Sequence, residues 1–133
     1  MSKFVLESLN DVNGDVEFFK ILEESICYWN EFCKHIENEK NWVDQLDQLK
    51  SRMDDVANKK LLPKEKFRKL KGMDDCYEVK SKNLRAYLLL DENGYVIMYA
   101  GKKTEQTQSL GKFEAIKKRY LKDKEDAKRK SSK

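Results

Sequence analysis

Hydrophobic positions change period along the chain. Phe4–Leu9 reads as a short first strand, followed by a turn at Asn13-Gly14. From about Asp15, Phe18, Phe19, Leu22, Ile26, Trp29, Cys33 and Ile36 recur at three-and-four spacing, which predicts an amphipathic helix with Asp15 as its cap. Asn38–Asn41 breaks it. Trp42, Leu46, Leu49, Met53 and Val56 repeat the spacing, so residues 1–58 read as a strand plus an antiparallel helical hairpin.

The period then shortens. Strands are predicted at Cys76–Lys82, Leu84–Leu90 and Tyr95–Gly101, and Asn93-Gly94 is a strong hairpin signal. Leu110, Phe113, Ile116, Tyr120 and Leu121 predict a last helix over 109–122. The end, 123–133, has one alanine as its only apolar residue and is expected to be a disordered basic tail. Residues 59–75 carry the only proline, Pro63, and many cations. They read as an ordered basic connector pinned by Leu61, Leu62, Phe67 and Leu70. The expected fold is α+β: an N-terminal strand and two-helix hairpin on a small twisted antiparallel sheet, with a C-terminal helix. Residues 1–122 form one domain in this reading.

Composition sharpens the picture through its asymmetry. Residues 1–58 hold six Lys/Arg against thirteen Asp/Glu, a net of −7. Residues 59–133 hold 22 against 11, a net of +11. A basic half of that size suits phosphate-bearing partners, although a solvated lysine-rich surface has the same composition. Attraction between the two halves would reduce the potential left for a substrate. No apolar run reaches the roughly 20 residues of a membrane span, and MSKFVLESLN lacks a signal-peptide core, so a cytoplasmic protein without a membrane partner is expected. Cys27, Cys33 and Cys76 are expected as reduced thiols, and with His35 the only histidine no metal site is expected.

Turn geometry predicts where the sheet's cations point. A turn at Asn93-Gly94 pairs Leu90 with Ile97, Leu88 with Tyr99 and Arg85 with Lys102. A turn at Lys82-Asn83, or at Ser81–Leu84, sets Lys80 opposite Arg85 and Glu78 opposite Tyr87. Opposed residues share a face. Tyr77, Val79, Ala86, Leu88, Leu90, Ile97 and Tyr99 then form an apolar face. The other carries the row Lys80, Arg85, Lys102, with Leu89 and Met98 marking a part covered by the last helix. Opposed like charges destabilise a sheet by a few tenths to ~1 kcal/mol, a strain that an anion would relieve. Splaying into water, or neutralisation by Glu78, would relieve it too.

No G-x-S-x-G, H-E-x-x-H or phosphate-cradling glycine loop is present. A cation row suits metal-free attack of an RNA 2′-hydroxyl on its own phosphate, where Lys and Arg stabilise the growing charge. The segment KFRKLKG…CYEVKSKNLRAYLLLDENGYVIMYAGKK…FEAIKKRYL resembles the RelE/HigB-type toxins of bacterial toxin–antitoxin systems, within the RelE/ParE superfamily. The resemblance implies a ribosome-dependent mRNA endonuclease without cofactor, with the ribosome, mRNA and a small DNA-binding antitoxin as partners. It assigns the catalytic cations to Lys80, Arg85 and Lys103 or Lys102; Lys82, Arg68, Lys71 and Tyr87 are expected to contact RNA. Glu78 stands where some members carry lysine, and Ser109 near where some carry a catalytic tyrosine, leaving Tyr120 as the possible acid/base. A non-catalytic binding protein on the same fold, such as a gyrase inhibitor or a degenerate toxin, is the alternative.

Overall fold

A computed structural model describes residues 3–10 and 12–131, with side chains to Arg129. The chain runs β1 (Phe4–Ser8), β2 (Phe18–Glu23), β3 (Ile26–Cys27), α1 (Tyr28–Glu37), α2 (Val43–Ala57), β4 (Phe67–Lys69), β5 (Cys76–Lys80), β6 (Leu84–Asp91), β7 (Gly94–Lys102) and α3 (Gln106–Ser131). The strands form one seven-stranded sheet in the order β1-β2-β7-β6-β5-β4, with β3 on β2. Neighbours are antiparallel except β2 and β7, which run parallel. The fold is α+β.

Both faces of the sheet are covered. Trp29, Phe32 and Ile36 of α1, with Leu46, Leu49, Met53 and Val56 of α2, pack on Phe18, Val79, Leu84, Ala86, Leu88, Ile97 and Ala100. On the other face, Phe113, Ile116 and Tyr120 of α3 pack on Phe4, Ile21, Cys76, Tyr87, Leu89, Val96 and Met98. This double burial explains the largest departure from the expected elements. Residues 18–23, predicted as helix, are strand β2, and Asp15 caps nothing because α1 begins only at Tyr28. A strand buried on both faces has no clean alternation, so FFKIL imitates one turn of an amphipathic helix. The hairpin from β2 to β3 turns on Glu24 (φ 49°) and Ser25 (φ 73°), a left-handed pair suited to a two-residue turn.

The connector is ordered as expected, and part of it becomes β4. Leu62 and Phe67 are half-buried and Leu70 is buried, but Leu61 is fully exposed and pins nothing. The tail also departs from expectation: α3 continues through it to Ser131, with Arg129 paired to Glu125 one turn earlier, and residues 132–133 lie outside the described residues. None of the three cysteines is in a disulfide. Among the described residues, no helix is long and apolar enough to cross a membrane.

The acidic and basic halves do meet. Arg119 of α3 donates Nε and Nη2 to Glu23 of β2 at 2.7 and 2.8 Å, and Tyr28 donates its hydroxyl to the same carboxylate at 2.8 Å. The Arg119 hydrogen bond is the main force holding the Glu23 carboxyl below its ordinary pKa, against a burial that pushes upward. A carboxylate stabilised in the folded state contributes stability above its unfolded pKa, near 4.5, and loses it as pH falls through the lower folded value. Arg119→Met should therefore cost about 1–2 kcal/mol at neutral pH, a figure reduced for the exposure of Arg119. In thermal melts the gap from wild type should close as pH falls below the carboxylate range. Gly94 supplies a second test. Its φ is +141°, and an added Cβ would lie 2.3 Å from the Glu17 carbonyl oxygen that accepts from Tyr95 N. Gly94→Ala should lower the melting temperature by more than Gly72→Ala, where nothing stands within 4 Å.

Candidate anion-binding cleft

Five hydrogen bonds gather cations at the end of the sheet where β5 turns into β6 and β7 runs out. Ser81 N donates to Leu84 O at 3.1 Å, closing the turn. Gln45 of α2 accepts from Asn83 N at 2.6 Å, and Arg52 Nη1 donates to Lys80 O, tying the turn to α2. Lys80 N donates to Lys66 O at 2.8 Å, which brings the connector alongside. Lys103 N donates to Asn83 O at 2.7 Å, which anchors the chain leaving β7. The result is a cleft of about 410 Å³ lined by Gln48, Arg52, Glu65, Lys66, Lys80, Ser81, Lys82, Arg85 and Lys103. Six cations and a single carboxylate face it.

Arg85 is the most constrained of these. It is 7% exposed, and its Nη1 donates to Ser81 O and Leu84 O at 2.7 and 2.8 Å. Its Nε is buried without a hydrogen-bond partner, as is the Ser81 hydroxyl. Burial pushes the Arg85 pKa down, opposed by the nearby Glu78 carboxylate. Two polar groups without partners thus lie buried in residues that border the cationic cleft.

The predicted site residues divide sharply. Lys80 pairs with Arg85 across β5 and β6, as the turn analysis expects. Lys80, Lys82, Arg85 and Lys103 line the cleft together. Lys102 does not join them. The hairpin closes with Asp91 opposite Gly94, and Met98 then enters as an extra residue, because Leu88 pairs with Ile97 but Tyr87 with Tyr99. Arg85 therefore opposes Gly101, and Lys102 opposes Leu84 on the face covered by α1 and α2. There it lies 3.1 and 3.0 Å from the two Glu39 oxygens and 5.2 Å from the Trp42 ring centroid. The same bulge moves Tyr99 off the predicted apolar face, where it meets Tyr28 and Lys112.

Four further predicted site residues, Tyr87, Tyr120, Lys71 and Arg68, do not line the cleft. Tyr87 is fully buried and stacked on Phe113 with centroids 5.7 Å apart, so it presents no surface to RNA. Tyr120 donates its hydroxyl to Asp91 at 2.8 Å, at the β6–β7 turn and the opposite end of the sheet. Burial and that bond push its pKa up, so it is not poised as an acid/base for Lys80. Lys71 is exposed beyond β4, near the start of β5, and does not line the cleft. Arg68 pairs with Glu78, Nε to Oε1 at 2.5 Å.

Sequence reasoning missed Gln48, Arg52 and Lys66. A faint signal existed on α2, where Gln45, Gln48 and Arg52 form a polar stripe beside buried Leu49 and Met53. His35 is exposed on α1, 3.4 Å from Glu39. No group of three or more His, Cys, Asp or Glu among the described residues could hold a metal ion.

An anion seated in the cleft should stabilise the fold, by about 2.7 kcal/mol at a hundredfold excess over its dissociation constant. Tripolyphosphate should raise the melting temperature of wild type by several degrees. Lys80→Met and Lys103→Met should suppress most of that rise, whereas Lys102→Met should keep it. Equal losses from Lys102→Met and Lys103→Met would contradict the assignment of the two neighbours to opposite sides.

No protein-family model, curated protein or solved structure matches this chain.

Proposed function

We propose that the cleft binds the phosphate backbone of RNA and that the protein is a ribosome-dependent mRNA endonuclease, the toxin of a RelE/HigB-type toxin–antitoxin system. The observation that carries this reading is the convergence of six cations on one cleft, with the unpartnered Nε of Arg85 at its buried side. In such a reaction the 2′-hydroxyl attacks the adjacent phosphorus, and negative charge grows on the phosphoryl oxygens. Arg85 cannot swing away, because two backbone carbonyls hold its guanidinium. It offers a fixed positive charge, while Lys80 and Lys103 add charge from either side of the β5–β6 turn. Arg52 and Lys82 extend the positive surface along the strand of RNA. On this reading the protein works in the cytoplasm with the ribosome and mRNA, and a small DNA-binding antitoxin covers the cleft.

One observation favours a second reading, a non-catalytic binding protein on the same fold. The cleft lining holds neither Tyr nor His, and the tyrosine considered as acid/base is occupied by Asp91. Proton transfer would then fall to a lysine of the cleft or to a ribosomal group.

Expression in growing cells separates the two. The endonuclease should arrest growth and produce new mRNA 5′ ends in the ribosomal A site. Lys80→Ala and Arg85→Ala should each remove these ends. Loss of one charge-stabilising donor costs about 2.7–4 kcal/mol of barrier, or roughly 10²–10³-fold in rate. Growth arrest with intact mRNA and halted DNA replication would select the binding protein instead.

A further inference from the structure

Beneath the cationic cleft lies a carboxylate that simple electrostatics argues against. Glu78 is fully buried in the middle of β5. Arg68 and Tyr87 are its partners across the neighbouring strands, and the next pair on the same face is Lys80 with Arg85. Its Oε1 receives both Arg68 Nε at 2.5 Å and Lys80 Nζ at 3.6 Å. Its Oε2 has no hydrogen-bond partner, nor has the buried hydroxyl of Tyr87 beside it. Burying a charge is costly even when it is paired, and here the charge also subtracts from the potential that draws anions into the cleft. Glutamine would have nearly the same shape without either penalty.

What the carboxylate supplies is geometry. A lysine ammonium on four rotatable bonds loses much freedom when it grips a phosphate. Lys80 has already lost part of it: its side chain is 15% exposed, and its ammonium is held between Glu78 below and the open cleft above. Arg68, on the outer strand, draws on the same oxygen at shorter range, so the carboxylate is shared between the two cations. Ordering a flexible group in advance strengthens binding by removing that cost from the binding step.

We propose that Glu78 is a positioning residue for the cleft, holding Lys80 in place to receive a phosphate, with Arg68 as its counterweight. The proposal rests on the RNA-binding reading of the cleft and adds a role for a residue that does not line it.

The two effects of Glu78 have opposite signs, which makes the test decisive. Coulomb attraction alone predicts tighter RNA binding by Glu78→Gln, because a negative charge disappears. Positioning predicts weaker binding. The experiment measures affinity of the full chain for a short 2′-O-methyl RNA, which lacks the nucleophile and stays uncut, by fluorescence anisotropy over a range of salt. Glu78→Gln should weaken binding by about fivefold or more. The salt slope should stay at the wild-type value, since the same cations still reach phosphate. In a Lys80→Met background the weakening should vanish, leaving at most the slight tightening that loss of a negative charge brings, because Glu78 positions the cleft through Lys80. Equal or tighter binding by Glu78→Gln overturns the proposal, as does an undiminished effect in the Lys80→Met background.

Should Glu78→Gln fail to fold, Arg68→Gln tests the same arrangement from the outer strand. With its counterweight gone, Glu78 draws Lys80 inward, and affinity should fall at unchanged salt slope. A slope reduced by about 0.7 would mean that Arg68 grips phosphate itself, and unchanged affinity would mean that it does nothing to Lys80; either overturns the proposal. No binding by wild type refutes the cleft reading and this proposal together. Tighter binding by Glu78→Gln refutes only the role of Glu78.

Discussion

Met98 enters β7 as one residue too many, between the pairs Leu88–Ile97 and Tyr87–Tyr99, and turns the rest of the strand over. Before it, Val96 and Ile97 alternate between α3 and the α1–α2 pair. After it, Ala100 faces the α1–α2 pair, Gly101 opposes Arg85, and Lys102 goes to Glu39. Lys103 is thereby the cation that reaches the cleft. Because the side-chain period of a strand is two, one inserted residue reassigns every position beyond it. The composition of the site is decided there.

The remaining members are held by contacts that each have another structural purpose. The β5–β6 turn is bonded to α2 through Gln45 and Arg52, to the connector through Lys66 and to the end of β7 through Lys103. Those bonds satisfy backbone groups that would otherwise be left unpaired at the end of the sheet. The same bonds bring Lys66, Lys80 and Lys103 within one cleft, and the turn sets Arg85 beneath it. Like charges so close would repel, and the fold tolerates them by backbone capture of Arg85, by the Glu78 carboxylate and by exposure of Lys66, Lys82 and Lys103 to water.

Charge separation along the chain is only partly carried into space. Glu23 and Glu39, from the acidic half, capture Arg119 and Lys102, and so take two cations out of the positive surface. Arg52 goes the other way, a cation from the acidic half that joins the basic cleft. Net charge by segment therefore identifies the kind of partner better than it identifies the residues that meet it.

Local chemistry by itself determined the strands of residues 76–102, the existence of the two helices that cover one face and the one that covers the other, and the pairing of Lys80 with Arg85. Each of these rests on period, turn residues and the requirement that Val79 face inward, all short-range signals. Leu89 and Met98 also announced in advance that the second face is covered. Only the tertiary structure decided that residues 18–23 are a strand, because their partner in parallel pairing, β7, lies some 75 residues away. It alone decided the bulge at Met98, which puts both Met98 and Tyr99 on the α3 side, an outcome of packing and not of the propensity of either residue. The loss of Lys102 from the site follows from that bulge, the loss of Tyr87 from its burial under α3, and that of Tyr120 from its bond to Asp91 at the far end of the sheet. The gain of Arg52 and Lys66 follows from the bonds that tie α2 and the connector to the β5–β6 turn. A residue's face is local information only until a strand slips by one, and what stops or permits the slip is the shape of the layers on either side.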